Sequence, residues 1–415
     1  MTRFEQLGDQ TDLDEALINY QGALKLRPPG DPLRFRPLNN VGNTLKTRYD
    51  QKGDLTDLDD AITNLREALK SLPSDHPGRS SVFNNLAIVL RTRFQQVGDL
   101  EDLNQSIVNQ RCALELRLPG HPERSTSLSN LGVALWSRFQ NCGNRADLDE
   151  AILLHQAALE LRPPGHPDRQ ASLINLPLAL LDRFDLIRDQ VDVDEAIVNL
   201  EEALPLQPPG HPGRCSGLNN LGDALKARFD LLGDQLDLDN SIVNHLGALE
   251  LRPPGHPRRS ASLFNVGNAL KTRFEKTGDG VDVDEAILNQ RGSLELRPPG
   301  NPERLRSLND LAEALLLRFK KFGDLVDLEE AIIMFRSALH LGPEGHPGRS
   351  ETLGYLGMAL FAKLESATEN DTPYVYYYEG VPPRMLNRRF QRSSHPTKST
   401  RRNHEFTRTS DNVCN

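Results

Sequence analysis

The sequence predicts an all-α protein, a right-handed α-solenoid of about sixteen helices built from 45-residue units. Three observations support this. Apolar residues recur at helical spacing, only 37% of the 415 residues are hydrophobic, and several landmark residues repeat every 45 positions. That hydrophobic content is low for one thick core but sufficient for helices that each bury one stripe. The repeating glycines are Gly8, Gly53, Gly98, Gly143, Gly233, Gly278 and Gly323, and the repeating prolines are Pro32, Pro77, Pro122, Pro167, Pro212, Pro257, Pro302 and Pro347.

Each unit is predicted to begin with a first helix, as in Arg259–Phe274. Its apolar residues Leu263, Val266 and Leu270 fall at helical spacing. An aromatic residue closes the helix, and the repeating glycine follows four residues later. Glycine adopts the left-handed conformation that ends many helices, so it should terminate this one.

A second helix follows, as in Asp282–Pro298. Asp282 and Glu285 resemble a capping box, in which Asp would bind a backbone N–H at the helix start. The same spacing occurs at Asp12/Glu15, Asp147/Glu150, Asp192/Glu195 and Asp327/Glu330. Proline pairs such as Pro298–Pro299 should then end the helix.

A joint rich in proline connects each second helix to the next unit. His76, His121, His166, His211, His256 and His346 occupy one position of this joint, which is Asp31 and Asn301 in two other units. These side chains all accept hydrogen bonds, and a proline follows each of them, so a helix-capping role is predicted. A metal site is not, since equivalent positions in neighbouring units are too far apart to share one ion.

The repeated residues resemble those of the tetratricopeptide repeat (TPR). Leu131–Gly132 and Leu221–Gly222 match its first helix, and Ala16, Tyr20, Ala23 and Pro28 match its second. The usual TPR unit has about 34 residues. The run from His211 to Gly222 is similar to kinesin light chain repeats, and the whole pattern is similar to long fungal repeat proteins. In those proteins the array often precedes a caspase-like (CHAT) or nucleotide-binding signalling domain.

Two regions are predicted. Residues 1–364 form the solenoid, eight units that are partial at both ends, and residues 365–415 form a disordered basic tail rich in Ser, Thr and Arg. Met1–Phe4 matches the end of a first helix, so the chain is expected to be a piece of a longer array. The chain contains no apolar segment long enough for a membrane span, no secretory h-region and no CxxC, which favours the cytoplasm, with the nucleus as an alternative.

Two ladders of arginine are expected to form structural ion pairs with the repeated acids. The first precedes the aromatic residue: Arg48, Arg93, Arg138, Arg183, Arg228, Arg273 and Arg318. The second follows the His-Pro joint: Arg34, Arg79, Arg124, Arg169, Arg214, Arg259, Arg304 and Arg349. Clamping of an acidic peptide is the alternative.

An asparagine ladder in the first helix is the best candidate for ligand binding: Asn40, Asn85, Asn130, Asn175, Asn220 and Asn265. Asparagine is a poor helix former, so its repetition needs a reason. Hydrogen bonds between units are one reason. The other follows from the resemblance, because this position faces the concave groove in TPR arrays, where an amide can hold a peptide backbone. Variable residues on the same face include Lys46, Arg91, Lys226 and Lys271, together with Trp136.

The predicted function is that of a non-catalytic scaffold or sensor that binds a protein or peptide of unknown identity. No catalytic motif, metal site or cofactor is indicated. The net charge of −9 makes nucleic acid an unlikely main ligand. The alternative is the recognition fragment of a larger signalling enzyme, a CHAT protease or nucleotide-binding ATPase. The identity of the ligand and the oligomeric state do not follow from the sequence.

Overall fold

The computed structural model describes residues 10–346 and 348–370, and these contain sixteen α-helices without a β-strand. First and second helices alternate along the chain. The second helices are α1 (Gln10–Lys25), α3 (Leu55–Lys70), α5 (Leu100–Leu116), α7 (Arg145–Glu160), α9 (Gln190–Ala203), α11 (Gln235–Glu250), α13 (Gly280–Glu295) and α15 (Leu325–Leu341). The first helices are α2 (Phe35–Lys52), α4 (Arg79–Val97), α6 (Arg124–Cys142), α8 (Arg169–Ile187), α10 (Arg214–Leu232), α12 (Arg259–Thr277), α14 (Arg304–Phe322) and α16 (Arg349–Asn370). The predicted all-α solenoid is confirmed.

Each helix packs mainly on its neighbours in sequence, so the core is a series of clusters along the array. First helices also contact the first helices of adjacent units, whereas second helices make no comparable contact with one another within the described residues. The first helices therefore line the side on which successive units are closest. This nearest-neighbour packing is typical of solenoids.

The turn between the two helices of a unit is fixed by glycine and aspartate. Gly98 has a φ of 77° and donates its N–H to the carbonyl of Phe94, which ends α4 as predicted. Asp99 follows in an extended conformation, and its side chain accepts the N–H of Glu101. The equivalent aspartate or asparagine caps the remaining second helices from α3 to α15.

The predicted capping box is therefore wrong. Asp147, Asp192, Asp282 and Asp327 lie three residues inside their helices, and they are buried instead of capping. The equivalent Asp12 likewise lies within α1, after its first residue Gln10. The Asp or Asn that directly follows the turn residue lies at the helix start, so it already occupies the cap position.

The proline-rich joint is a β-turn followed by a capped helix entry. His166 donates its N–H to the carbonyl of Pro163, and Gly165 between them has a φ of 89°, which glycine tolerates and other residues rarely adopt. The Nδ1 atom of His166 then accepts the N–H of Asp168 at 3.0 Å. Asp31 and Asn301 accept the equivalent N–H in their units. The predicted capping hydrogen bond is present, and it lies in the turn that leads into α8.

The first arginine ladder joins three helices at each step. Arg93 donates to both oxygens of Asp102 in its own unit, at 2.6 and 2.5 Å, and to Asp59 of the preceding unit at 2.6 Å. The pattern recurs at each described member of the ladder. The predicted structural ion pairs are present.

The second arginine ladder binds mainly backbone carbonyls. Arg79 donates to the carbonyls of Leu69 and Leu72, at 3.1 and 3.0 Å, and so caps the end of α3. Two other members, Arg34 and Arg169, additionally pair with a glutamate in the second helix of their own unit. This ladder stabilises helix ends more than it forms ion pairs.

The unit that contains α8 and α9 departs from the pattern. Pro177 lies inside α8, which nevertheless has the same 19 residues as α6 and α10. Arg188 replaces the turn glycine and is the one non-glycine residue with positive φ, at 54°, in the described chain. Helix α9 is shortened to 14 residues, and a 3₁₀ turn at Leu204–Leu206 that contains Pro205 completes it.

The chain divides into two compact regions, Met1–Lys363 and Leu364–Asn415, the first of which contains the repeat units. Helix α16 extends to Asn370, six residues into the segment predicted as a tail. The rest of that tail and the partial helix predicted at Met1–Phe4 lie outside the described residues.

Candidate functional site

The candidate site is the side of the first helices turned away from their second helices, here called the first-helix surface. It carries the asparagine ladder and the positions equivalent to Asn43 and Lys46 in each unit. Most of these side chains are half-buried, because adjacent first helices lie against one another.

The asparagine ladder divides into two groups. Asn85, Asn130 and Asn265 donate to an asparagine of the preceding first helix, at 3.0, 2.9 and 3.1 Å. The partner always lies 46 residues earlier, at Asn39, Asn84 or Asn219.

The other three asparagines have no such partner. The residue 46 positions before Asn175 is Ser129, and that before Asn220 is Ile174. The side chains of Asn40, Asn175 and Asn220 make no hydrogen bond within the described residues. Asn85, Asn130 and Asn265 therefore fit the explanation of hydrogen bonds between units. Asn40, Asn175 and Asn220 remain candidates for contact with a ligand.

The four basic side chains of this surface are Lys46, Arg91, Lys226 and Lys271, and the three lysines have acidic partners. Lys46 pairs with Asp50 at 2.5 Å, and Lys226 pairs with Asp230 at 2.7 Å. Lys271 lies 2.7 Å from Glu313 and 3.2 Å from Asp310. Burial alone would lower the pKa of Lys271, but these two carboxylates raise it overall.

Arg91 has no hydrogen bond or ion pair in the described part of the chain. It is half-buried, and burial lowers the pKa of its guanidinium. A charge that is partly removed from water without a partner is unfavourable, and an anionic ligand would relieve that cost.

The centre of the surface is apolar. Trp136 lies one unit after Arg91 at the equivalent position and packs between the clusters of α6 and α8. Its Nε1 donates to Asp182 at 2.6 Å. Burial raises the pKa of Asp182 although this hydrogen bond lowers it. The half-buried apolar residues of this region are Ile88, Val133, Ile174, Leu178 and Leu181.

Beneath the surface lies a row of buried polar side chains from the second helices, which the sequence reasoning missed. His245 fills the space beside Gly222, where an added Cβ would lie 2.6 Å from the imidazole. Its Nε2 lies 3.6 Å from Asp223 on the surface. Asp223 exposes 48% of its side chain and accepts hydrogen bonds from Asn219 and Asn265. Desolvation of the carboxylate raises its pKa, against the attraction of Arg306 and Arg252.

His155 occupies the equivalent place beside Gly132 and is completely buried. Neither ring nitrogen has a hydrogen-bond partner among the residues that the structure describes. Burial, and then repulsion by Arg162, lowers its pKa to about 4. Comparison of the units could have found this row, since the position alternates among Leu, Gln, His and Phe opposite a small residue.

A second feature missed from the sequence is a set of buried arginines at the end of the second helices. Arg117, Arg162, Arg252 and Arg297 each donate to a serine ten residues later, at 2.5 to 2.7 Å. Where Gln207 replaces the arginine, Gly217 replaces the serine. This joint variation among the units was the available signal.

The described residues contain no group of His, Cys, Asp or Glu that could hold a metal ion. None of the helices that the structure describes is long and apolar enough to cross a membrane. Cys112, Cys142 and Cys215 are free thiols, and Cys414 lies outside the described residues.

Residues 124–168, one complete unit that contains α6 and α7, match the family model described as tetratricopeptide repeat. The match begins and ends in the 45-residue register of the chain, so the resemblance stated for the sequence is confirmed for this unit. A search of the curated proteins found no match.

Several solved structures are similar. A putative kinesin light chain of Podosopora anserina with nearly identical TPR-like repeats is 22% identical, covering 52% of this chain and 97% of that one, with a TM-score of 0.38. Human IFIT1 with PPP-AAAA is 14% identical over 85% of this chain and 68% of that one, with a TM-score of 0.45. A TPR protein of Thermus thermophilus is 19% identical over 57% of this chain and 99% of that one, with a TM-score of 0.37.

Proposed function

We propose that this TPR-like repeat scaffold binds an extended peptide of a protein partner on its first-helix surface. The observation that carries the proposal is the set of unpartnered polar groups there. Asn175 and Asn220 have free amides at positions where other units use the same residue internally. An amide offers both a donor and an acceptor, as a peptide backbone requires.

The charge and apolar character of the same surface support this proposal. Arg91 has no carboxylate partner among the described residues, and Trp136, Leu178 and Leu181 lie in the next two units. Adjacent helices pack about 8–10 Å apart, and an extended chain rises about 3.3 Å per residue. Consecutive units would therefore contact a peptide about every third residue.

The proposal is tested by selecting binders from a library of random ten-residue peptides on the full chain. Affinity is then measured for the double variant Asn175→Ala with Asn220→Ala. Each amide lost from a peptide backbone costs about 1 kcal/mol, so binding should weaken about tenfold or more.

The matched control is Asn85→Ala with Asn130→Ala, which removes two amides that bond within the protein. It should leave peptide affinity within about twofold. If both double variants retain wild-type affinity and helical circular dichroism, the asparagines do not contact a ligand and the proposal fails.

A further inference from the structure

A second, chemically different cavity lies between two consecutive joints, far in sequence from Arg91 and Trp136. This joint pocket has a volume of about 470 Å³. It is lined by Gly210, His211, Pro212, Cys215, Ser216, Leu251, Arg252, His256 and Arg258, none of which is acidic. Its volume lies within the range of small-molecule sites, roughly 300–1,000 Å³.

The feature that marks this pocket is a buried arginine without a carboxylate. Arg252 is only 3% exposed, and its Nε, like those of Arg117 and Arg162, has no partner within the described residues. Its Nη1 donates to Ser262 at 2.7 Å and to the carbonyl of Arg258 at 3.3 Å. The positive charge of Arg252 acts to lower the pKa of Asp223, although no hydrogen bond or ion pair joins the two side chains.

Other units neutralise the equivalent arginine. Arg117 donates its Nη2 to Glu123 at 2.5 Å, and Arg162 lies 4.0 Å from Asp168. These acids follow their arginines by six residues. At the same spacing from Arg252 the chain has Arg258, which adds a positive charge where its relatives in the array have a negative one.

When neutral, the histidines of the pocket can act towards a ligand only as hydrogen-bond donors and not as acceptors. The Nδ1 of His211 accepts the N–H of Gly213, and the Nδ1 of His256 accepts the N–H of Arg258. The remaining proton of each neutral ring must then lie on Nε2. The pocket thus combines two guanidinium groups that have no ion pair with a carboxylate within the described residues with the imidazole N–H of His256. The Nε2 of His211 instead lies 3.5 Å from the side-chain nitrogen of Gln170.

We infer that the joint pocket binds the phosphate group of a small molecule. A phosphate carries about −1.5 to −2 charges near pH 7, which matches two arginines without an ion-pair partner in the described part of the chain. Guanidinium groups bind its oxygens through several parallel hydrogen bonds. This site is independent of the peptide surface, and either can exist without the other.

The test is isothermal titration of the full chain with inorganic phosphate and, separately, with glucose 6-phosphate. Saturable binding of either ligand is expected, and the tighter one identifies free phosphate or a phosphate ester as the preferred form. Arg258→Glu restores the acid that other units have, so it should weaken binding about tenfold or more. It should also raise the melting temperature without phosphate, since Arg252 gains a partner.

Two further variants make the result specific. Arg66→Glu makes the same change in net charge on an exposed part of α3 and should leave binding within about twofold. Asp168→Arg places an arginine beside Arg162, between His121 and His166, and should create a second phosphate site. Absence of saturable binding in the wild-type chain, or equal binding by wild type and Arg258→Glu, would overturn the inference.

Discussion

At the scale of single residues, the array uses one second-helix position to decide how polar its core is. That position holds Leu65 and Leu200 in two units, and His155 and His245 in two others. Leu65, His155 and His245 fill the space beside a glycine of the first helix, at Gly42, Gly132 and Gly222. His155 is the unfavourable choice, because both of its nitrogens are buried and the described part of the chain offers them no hydrogen-bond partner.

Replacement of His155 by Leu should therefore stabilise the protein, particularly in acid. The folded-state pKa of about 4 lies below the ordinary value of 6.5. The lowered pKa means that the folded protein keeps His155 neutral at a pH where the unfolded chain protonates it. The free energy of unfolding is therefore unaffected above about pH 6.5 and decreases as the pH falls towards 4. The loss at pH 4 amounts to about 3 kcal/mol at most.

The measurement is urea unfolding of the wild type and His155→Leu at pH 7.5, 5.5 and 4.5. The difference between the two proteins should grow as the pH falls, with the variant more stable throughout. A constant difference across this range would show that His155 does not titrate on unfolding.

At the scale of secondary structure elements, α8 is the helix whose sequence conflicts most with its conformation. Pro177 has no N–H to donate to the carbonyl of Leu173, and Arg188 ends the helix in a conformation that glycine adopts more easily. The helix keeps its full length because its neighbours α7, α9, α6 and α10 pack against it.

Hydrogen exchange should show residues 168–184 less protected than the equivalent residues of α6 and α10. A proline inside a helix costs about 3 kcal/mol, which corresponds to exchange faster by up to roughly a hundredfold. Pro177→Gly introduces the residue that α6 and α10 have at this position and should slow exchange in α8. Equal protection of all three helices in the wild type would contradict this expectation.

Particular residues show what the sequence could predict. The 45-residue period revealed the helices, the turn glycines and the capping role of the joint histidines, because each depends on local backbone geometry. The capping box was misplaced because Asp279 and Asp282 both suit a helix start, and only the turn conformation decides between them. The division of the asparagine ladder depends on contacts 46 residues apart. Arg91 differs from Lys226 through a nearby residue, since Gln95 occupies the position at which Asp230 pairs with Lys226, and the sequence does show this difference.

At the scale of the whole solenoid, we expect ligand specificity to arise at positions where one unit differs from the others. Arg93 and its equivalents join successive units in the same way along the array, and they stabilise it without distinguishing one unit from the next. Asn175, Arg91 and Arg252 each lack a partner that their counterparts have. We expect ligands to bind at these positions, because there the protein leaves polar groups unsatisfied.

The peptide-binding claim can be tested most directly through Trp136, the single tryptophan of the chain. It lies at the centre of the first-helix surface, between Arg91 and Leu181 in the repeat register. A library-selected peptide is titrated into the full chain while tryptophan emission and the anisotropy of a label on the peptide are both recorded. We predict a saturable change in Trp136 emission with the dissociation constant that anisotropy gives. Saturable anisotropy with unchanged Trp136 emission would place the peptide elsewhere and contradict the claim.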